Sequence, residues 1–467
     1  MERTPGRSTL ACLALLLAVP LLCLYLNPYP DILLRDQWRM VPLLVDYFSG
    51  QLRISSLFAP HHDVSIVIYK TLFLLNGILL GLNMPAEYAL GIFLLFLYTC
   101  VLFTALRRSL GGNASVTLLV LAPLLAVIYS QSQTVLWHFS LVAVLAGVLL
   151  FFSVLTVVFL DRHLAEDGRP RHAVYSLLCL LFLVLGDTTA TFITLIALAL
   201  LLGLLWFLRP ETRKKILPYA GVLFLFFAAA GTLQFFYSHK LHPAPPEGWL
   251  LHFLTNIPLI INYVFLLSGS SLYTSNIVDN IPRPLLWLSG AGVLLAYAGA
   301  VWLYIRHRRD IGSSLPLFLI LFSAAFAAVL ILSRATTTYG PPTAPRYVTP
   351  MRVGFAGLVW IYGHWVLRLR SPSWRRRSLA AGLCIVILLE GLNLATAQMY
   401  NTFFYAALKQ QISILKSQQY DKASRPLAPV NGVRVVAKFD MELRRLGLGH
   451  YRDPENPEAT EAVQAAP

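Results

Sequence analysis

The feature that most constrains this chain is the recurrence of long apolar segments along most of its length. A helix needs about 20 mostly apolar residues to cross the hydrocarbon core of a bilayer. About eleven segments meet this requirement: 9–26, 64–82, 88–106, 116–130, 139–160, 191–208, 217–236, 284–305, 315–332, 351–367 and 379–398. Two more, 173–185 and 249–267, are short or interrupted by polar residues. We therefore predict an all-α fold, a polytopic transmembrane bundle of about 11–13 helices.

The composition agrees with a lipid-facing surface. Hydrophobic residues make up 57% of the 467 positions and charged residues 13%, and the mean hydropathy is +0.65. Because an average globular chain has about 25% charged residues, this chain has too little charge to cover a water-facing surface. The composition therefore excludes an ordinary soluble enzyme.

Basic residues indicate how the chain is oriented. The net charge is +15, and Lys and Arg gather in four short stretches, 162–171, 209–215, 306–309 and 368–377. Because cytoplasmic loops carry an excess of Lys and Arg, we predict that these stretches lie inside. The first loop, the loop 333–350 and the C-terminal tail then lie outside. Much of the charge is an orientation signal, so we expect no nucleic acid partner.

Strict alternation of the predicted spans leaves one conflict. From a cytoplasmic N-terminus, alternation places Arg107 and Arg108 outside, whereas counting back from the four basic stretches places them inside. Either a segment within 64–106 does not cross the membrane, or 173–208 is a single broken span. The sequence leaves both solutions open.

Two domains are expected. The transmembrane domain covers 1–398 and includes a long first external loop, 27–63. An external tail covers 399–467. The end of this tail is rich in Pro, Glu and Ala, and we predict that it is disordered. Within the first loop, 38–50 has apolar residues at helical spacing: Met40, Leu43, Leu44, Tyr47 and Phe48. That spacing predicts a helix lying on the membrane surface.

The first loop also concentrates ionisable residues between lipid-like segments, which makes them functional candidates. Asp36 lies at the start of the predicted surface helix, in Arg35-Asp36-Gln37-Trp38-Arg39. A carboxylate there can cap the helix N-terminus, or it can act as a general base toward a hydroxyl group. Asp31 is the second candidate for the base. Both interpretations of Asp36 stay open at this point.

Further candidates lie where the chain re-enters its apolar regions. His61, His62 and Asp63 stand at the end of the first loop, where they can bind a divalent cation with a distant carboxylate, contact a phosphate, or form an interfacial belt. Asp187 lies at a predicted helix break, where non-helical backbone is tolerated if it lines protein or a wet cavity. We therefore consider Asp187 a cavity-lining candidate.

Three arginines in or directly after the loop 333–350, Arg334, Arg346 and Arg352, lie on the predicted outer side. This departs from the rule that positive residues stay inside. An anionic ligand is one explanation, because a guanidinium group binds phosphate in a bidentate manner. The alternative is that Arg346 pairs with an acid elsewhere in the bundle.

Three elements stand in a notable order. Asp36-Gln37-Trp38 lies in a long loop directly after the first span, Pro60 to Asp63 ends that loop, and Arg346-Tyr347-Val348-Thr349-Pro350 precedes a late span. This order, over roughly the first 370 residues, resembles the membrane glycosyltransferases of the GT-C superfamily. The chain departs from the family pattern at Val64-Ser65, where related proteins often continue with His-Arg.

The resemblance implies a function. In that superfamily the donor is a sugar linked to a polyprenyl phosphate, and an acid of the first loop acts as base or as a metal-associated carboxylate. The matching acid here is Asp36, with Asp31 as its alternative, and Arg346, Arg334 and Tyr347 would lie near the donor phosphate. The expected protein is a multi-pass enzyme of the bacterial inner membrane that transfers a hexose or pentose, with inversion, to a glycan, lipid or protein on the external face.

Two other functional classes stay open for this chain. A transporter or flippase of lipid-linked sugars predicts inverted repeats and broken helices in matching halves, and the sequence has breaks near Gly186 and Asn256 without matching halves. An O-antigen polymerase or ligase would have its largest external loop later in the chain. The long loop directly after the first span favours the glycosyltransferase.

Overall fold

The computed structural model describes residues 7–26, 31–61, 65–111, 140–165, 168–241, 254–273, 280–335, 345–368, 374–418 and 433–451, with residues 251 and 278 and parts of 117–129. Helices dominate this part of the chain, and it contains no β-strand. The all-helical prediction is therefore confirmed.

The described helices, in chain order, are α1 (Arg7–Leu26), the 3-10 helix Arg35–Met40, α2 (Val41–Phe48), α3 (Ile54–Phe58), α4 (Val67–Leu80), α5 (Met84–Ser109), α6 (Ser140–Leu164), α7 (Pro170–Gly186), α8 (Thr188–Leu208), α9 (Arg213–Leu241), α10 (Ile257–Ser270), α11 (Arg283–Ile311), α12 (Leu315–Ala335), α13 (Pro345–Arg368), α14 (Trp374–Lys416) and α15 (Val433–Leu446). Among the residues described, six helices are long and apolar enough to cross a membrane. They are α5, α6, α8, α11, α12 and the first part of α9 with the turn before it, and this set indicates a membrane protein.

Helices α5 and α6 pack side by side and run in the same direction. A Cβ atom on Gly91 would lie 2.7 Å from the Cβ of Ala143, and one on Gly147 would lie 2.6 Å from the Cβ of Leu94. The contact that lies later on α5 also lies later on α6, so the two helices are parallel. Small residues at this spacing allow two helix backbones to approach closely, as is common between membrane helices.

The chain then reverses direction twice over 170–208. Helix α7 returns along α6, with the rings of Phe152 and Phe182 stacked 5.0 Å apart and Ser176 Oγ donating to the carbonyl of Thr156 at 2.8 Å. Helix α8 runs back again, and Ser153 Oγ lies 3.1 Å from Thr194 Oγ1. The region therefore forms two antiparallel helices and is not a single broken span.

One end of the bundle gathers the basic residues. Asp161 near the end of α6 accepts hydrogen bonds from Ser313 Oγ at 2.9 Å and from the backbone N–H of Ser314 at 2.8 Å, just before α12 begins. Trp360 of α13 donates to Ser109 Oγ at the end of α5, at 3.2 Å. We call this the basic end, because it carries Arg107, Arg108, Arg162, Arg209, Arg306, Arg308 and Arg309.

The opposite end, which we call the loop end, holds the first loop and the short helix α4. Tyr69 and Asn76, two turns apart on α4, both bond the carboxyl group of Glu87 in the first turn of α5. Helix α4 therefore lies across the loop end and does not reach the basic end. The predicted span 64–82 is wrong in this respect. Because α4 does not cross the bundle, Arg107 and Arg108 lie at the same end as the described basic residues of 162–171, 209–215 and 306–309, which removes the conflict left by strict alternation.

The surface helix predicted over 38–50 is shorter than expected. The 3-10 helix Arg35–Met40 comes first, and α2 then covers Val41–Phe48. Leu43 and Leu44 are buried, as the spacing predicts, whereas Tyr47 is 41% exposed. The difference arises because Pro42 favours the start of a helix and the residues before it turn inward to bury Trp38.

The C-terminal tail is partly folded. Helix α14 continues without a break through the proposed domain boundary at 398 and ends at Lys416. Helix α15 packs against the 3-10 helix of the first loop and against α2, and Gly449 donates its backbone N–H to the carbonyl of Gly81 at 2.9 Å. The end of the tail, predicted to be disordered, lies outside the described residues from 452 onward.

Candidate functional site

The 3-10 helix of the first loop carries the candidate acid Asp36. Leu34 donates its backbone N–H to the side-chain oxygen of Gln37 at 2.9 Å, which closes the first turn. Gln37 and Trp38 are both fully buried. Asp36 is therefore the second residue of a tight turn whose next two side chains point into the protein.

The prediction that Asp36 caps a helix does not fit this position, because Leu34 is the N-cap of the 3-10 helix and Met40 is the N-cap of α2. The side chain of Asp36 lies outside the described residues.

A buried polar network lies directly beneath this turn, and Glu87 is its centre. Gln37 Nε2 donates to Ser140 Oγ at 2.6 Å, to Tyr69 Oη at 3.1 Å and to Glu87 Oε1 at 3.3 Å. Ser140 Oγ donates to Glu87 Oε1 at 2.7 Å, and Tyr69 Oη donates to the same oxygen. Asn76 Nδ2 donates to Glu87 Oε2 at 3.3 Å. We call these five residues the Glu87 network.

The Glu87 network joins four parts of the chain. Its members come from the first loop, from α4, from the start of α5 and from the start of α6. Burying polar groups is costly unless they are hydrogen-bonded, and both oxygens of Glu87 accept bonds. A fully bonded buried network rigidifies the parts that it joins. The turn that carries Asp36 is therefore held in one position relative to the bundle.

Asp31, the alternative base, has a structural partner. Its Oδ1 accepts the backbone N–H of Met84 at 2.9 Å, at the start of α5. An acid at this position satisfies a free helix N–H group and complements the positive end of the helix dipole. Asp31 therefore fastens the beginning of the first loop to α5, and this leaves Asp36 as the stronger candidate for the base.

The re-entry region is held by Lys70. Its Nζ donates to the carbonyls of Ala59 at 2.5 Å and Ser56 at 3.2 Å, and burial lowers the pKa of the ammonium group. These bonds fix the chain just before Pro60. His61 is partly buried, whereas His62 and Asp63 lie outside the described residues. Within the described part of the chain, no group of three His, Cys, Asp or Glu residues could hold a metal ion.

The arginine element lies at the loop end but on other helices. Arg346 and Tyr347 belong to the first turn of α13, and Arg334 to the last turn of α12, with all three side chains outside the described residues. The first loop packs against α4, α5, α6 and α15, whereas α13 packs against α10, α11, α12 and α14. The structure therefore brings the two candidate elements to the same end of the bundle, on two different groups of helices.

An ion pair anchors the start of α13. Arg352 Nη1 donates to Glu390 Oε2 at 2.8 Å, and both side chains are buried. Arg352 Nε donates to the carbonyl of Ser271 at 2.7 Å, while Asn393 contacts the same carboxylate at 3.4 Å. The charge of Arg352, one of the three outer arginines, is thus balanced inside the protein by an acid of α14, and an anionic ligand is not needed to explain it.

Asp187, the cavity-lining candidate, caps a helix. Its Oδ1 accepts the backbone N–H of Ala190 at 3.0 Å, and it is the N-cap of α8. Ser, Thr, Asp and Asn are the residues preferred at such a position. The break at Gly186 is therefore a capped reversal between two helices, which differs from the broken helices that a transporter is expected to have.

The docked tail adds a second buried polar cluster at the loop end. Asp440 is fully buried, with His450 Nε2 at 3.1 Å from its Oδ1. Tyr451 Oη donates to Asp440 Oδ2 at 2.6 Å, and burial raises the pKa of this hydroxyl, so that it stays protonated as a donor. The cluster shapes the end of the tail that contacts Gly81.

Sequence reasoning missed both Glu87 and Asp440. A signal for Glu87 existed, because it is the single acidic residue of the 26-residue helix α5, and an ionisable residue in an apolar helix is a functional candidate by default. Its partners are separated by up to 103 positions, and no local pattern reveals them. Asp440 lies in a helix with many charges, where nothing distinguishes a buried acid from exposed ones.

Comparisons with known proteins add no relative to this description. No protein family model matches the chain, and neither a curated protein nor a solved structure matches it.

Proposed function

We propose that this protein is an integral membrane glycosyltransferase. It moves a sugar from a polyprenyl-phosphate-linked donor to a glycan, lipid or protein acceptor on the external face of the membrane, with Asp36 as the base. One observation carries the proposal most directly. The Glu87 network holds the short turn that contains Asp36 in a fixed position at the loop end, opposite the basic residues.

The orientation follows from the distribution of charge. Because Lys and Arg concentrate on the cytoplasmic side, the basic end faces the cytoplasm and the loop end faces outward. We propose that α4 and α10 do not cross the membrane and that the chain crosses it in α1, α5, the predicted span 116–130, α6, α7, α8, α9, α11, α12, α13 and α14. This path places the N-terminus inside, and the tail outside beside the first loop. In bacteria this corresponds to the inner membrane with the site facing the periplasm.

The proposed reaction is a single displacement at the anomeric carbon of the donor sugar. The acceptor hydroxyl oxygen forms the new bond to this carbon as the bond from the carbon to the lipid phosphate oxygen breaks. The hydroxyl proton passes to the carboxylate of Asp36, and the electron pair of the broken bond stays on the departing phosphate. Attack opposite the leaving group inverts the anomeric configuration.

Positive charge near the leaving group would assist this step. Arg346, with Arg334 and Tyr347, would bind the donor phosphate and neutralise the charge that develops on it. Because the first loop and α13 belong to different groups of helices at the loop end, donor and acceptor would meet between these groups. The reaction as written needs no nucleotide and no metal ion. If a divalent cation takes part, His61, His62 and Asp63 are the residues that would hold it.

Deletion of the gene tests this function against a transporter. A glycosyltransferase with an outward site leaves its polyprenyl-phosphate sugar unused on the outer leaflet and its acceptor without that sugar. We therefore expect the lipid-linked sugar to accumulate where a membrane-impermeant oxidant can reach it in intact spheroplasts. Accumulation on the inner leaflet alone would contradict the proposal and favour a flippase. Unchanged glycans and lipid intermediates would contradict both the glycosyltransferase and the flippase.

A further inference from the structure

An apolar groove lies between the parallel helices α5 and α6, in the half of the bundle next to the basic end. It has a volume of about 280 Å³. Its walls are formed by apolar side chains that include Leu97, Val101, Leu155 and Val158. The groove is open along one side, so a ligand can enter it laterally from the surrounding lipid.

Two arginines close the groove at its basic end. Arg108 is the penultimate residue of α5, Arg162 lies near the end of α6, and both line the groove and are exposed. The guanidinium of Arg162 lies 6.0 Å from the ring centroid of Phe159. Neither arginine forms an ion pair with a described acid. Glu166 and Asp167, the next acids in the sequence, lie outside the described residues.

The length of the groove matches one leaflet of a bilayer. Leu97 and Arg108 mark its two ends on α5, and at 1.5 Å per residue this stretch is about 16 Å long. The hydrocarbon core of a bilayer is about 30 Å thick. An acyl chain lying in the groove would therefore reach from the level of the arginines to about the middle of the membrane.

We propose that this groove binds one anionic glycerophospholipid, with its phosphate between Arg108 and Arg162 and one acyl chain along the apolar wall. The charge of the site favours an anionic head group, since guanidinium groups bind phosphate strongly and basic pockets between membrane helices on the cytoplasmic side bind such lipids. The proposal rests on the membrane position described above and not on the sugar transfer. The polyprenyl-phosphate donor would bind at the opposite end of the bundle.

Native mass spectrometry of the full-length protein tests this assignment. The protein is reconstituted with equal amounts of phosphatidylglycerol and phosphatidylcholine of the same acyl chains, and retained lipid is measured after detergent extraction. We expect the wild type to retain phosphatidylglycerol selectively, and the double variant Arg108→Ala/Arg162→Ala to retain about tenfold less. The matched control is Arg107→Ala/Arg169→Ala, which removes the same charge from the same end without altering the groove, and it should retain the wild-type amount.

A second variant tests the apolar wall separately. Ala105 lines the groove, and Ala105→Trp would fill it while keeping both arginines, so we expect the same loss of phosphatidylglycerol. Undiminished retention by Ala105→Trp would overturn the groove as the site, even if the arginine variant fails to fold. Equal losses in the control variant and the arginine variant, or equal retention of both lipids by the wild type, would also overturn the proposal, as would preferential retention of added polyprenyl phosphate.

Discussion

The two ends of this bundle use polar residues in opposite ways. At the loop end, Glu87 and its partners are buried and bonded to one another, and they join parts of the chain that are distant in sequence. At the basic end, most arginines are exposed at helix termini. The first arrangement fixes a shape, whereas the second is the kind of charge distribution that sets which side of the membrane a helix end occupies. A site that must hold a base in place is therefore expected at the loop end.

The largest difference between the two ends should appear in chemical labelling, because a reagent that cannot cross the membrane either reaches a residue or does not. In a background without native cysteines, Ser55→Cys on the first loop should react with a membrane-impermeant maleimide in intact spheroplasts. Arg171→Cys at the start of α7 should react only after the membrane is opened. Both residues are exposed, so access depends on the side alone. Labelling of both or neither in intact spheroplasts would break the assignment of the two ends.

The next largest effect should follow from removing the carboxylate at the centre of the Glu87 network. Glu87→Leu leaves the hydroxyls of Tyr69 and Ser140 without their buried acceptor, and each unpaired buried group costs about 1–3 kcal/mol. We expect a loss of about 3 kcal/mol in the free energy of unfolding together with loss of sugar transfer. The measurement is urea or thermal unfolding in detergent with an activity assay.

A matched change at the basic end sharpens this contrast. Glu211 is exposed, and Glu211→Leu should alter stability by no more than about 0.5 kcal/mol. Glu87→Gln keeps one acceptor oxygen at the centre of the network and should recover most of the stability. If Glu87→Leu and Glu211→Leu were equally mild, the network would not be what holds the loop end together.

A similar cost is expected where α13 is anchored. Arg352→Ala leaves Glu390 as a buried acid without its cation, and breaking a buried pair in this way costs about 3–5 kcal/mol. Replacing both partners, as in Arg352→Met/Glu390→Leu, should recover most of this loss, because no buried charge remains. Arg306→Ala at the basic end, where the side chain is exposed, serves as the control. Unfolding in detergent measures all three variants, and failure of the double variant to recover would show that other contacts dominate.

The smallest effect should separate two acids of α15. Asp440→Ala removes the acceptor of the Tyr451 hydroxyl and should loosen the docked tail by about 2 kcal/mol. Glu442 forms only an exposed pair with Arg445 at 3.0 Å, so Glu442→Ala should cost less than about 1 kcal/mol. Hydrogen exchange of α15 and of the 3-10 helix measures both. Faster exchange in α15 alone would mean that the tail does not support the first loop.

The sequence predicted the helices better than their arrangement. Apolar runs and their flanking arginines located most helices, because lipid-facing segments must be apolar along their whole length. The same rule failed for α4, whose composition resembles that of a crossing helix. What keeps it at the loop end is the pair of bonds from Tyr69 and Asn76 to Glu87, and side-chain bonds between two helices leave no periodic pattern in the sequence.

The candidate site was predictable in part. Asp36 stood out because of its motif, and the structure adds that Gln37 and Trp38 after it are buried and that Gln37 is hydrogen-bonded. The predicted roles of Asp31 and Asp187 were less secure, since an acid near a helix start serves as a cap as readily as it serves a ligand. In the structure, both accept a backbone N–H at the start of a helix.

In the proposed function, the turn held by the Glu87 network presents Asp36 as the base for sugar transfer. The most direct test of this role is the transfer of labelled sugar from extracted lipid-linked donors, in membranes that contain Asp36→Asn at the wild-type protein level. Asp46→Asn, in the same loop on α2, is the matched control. We expect Asp36→Asn to lose at least about a hundredfold in rate, while Asp46→Asn keeps the wild-type rate. Full activity of correctly inserted Asp36→Asn would contradict the role of Asp36 as the base.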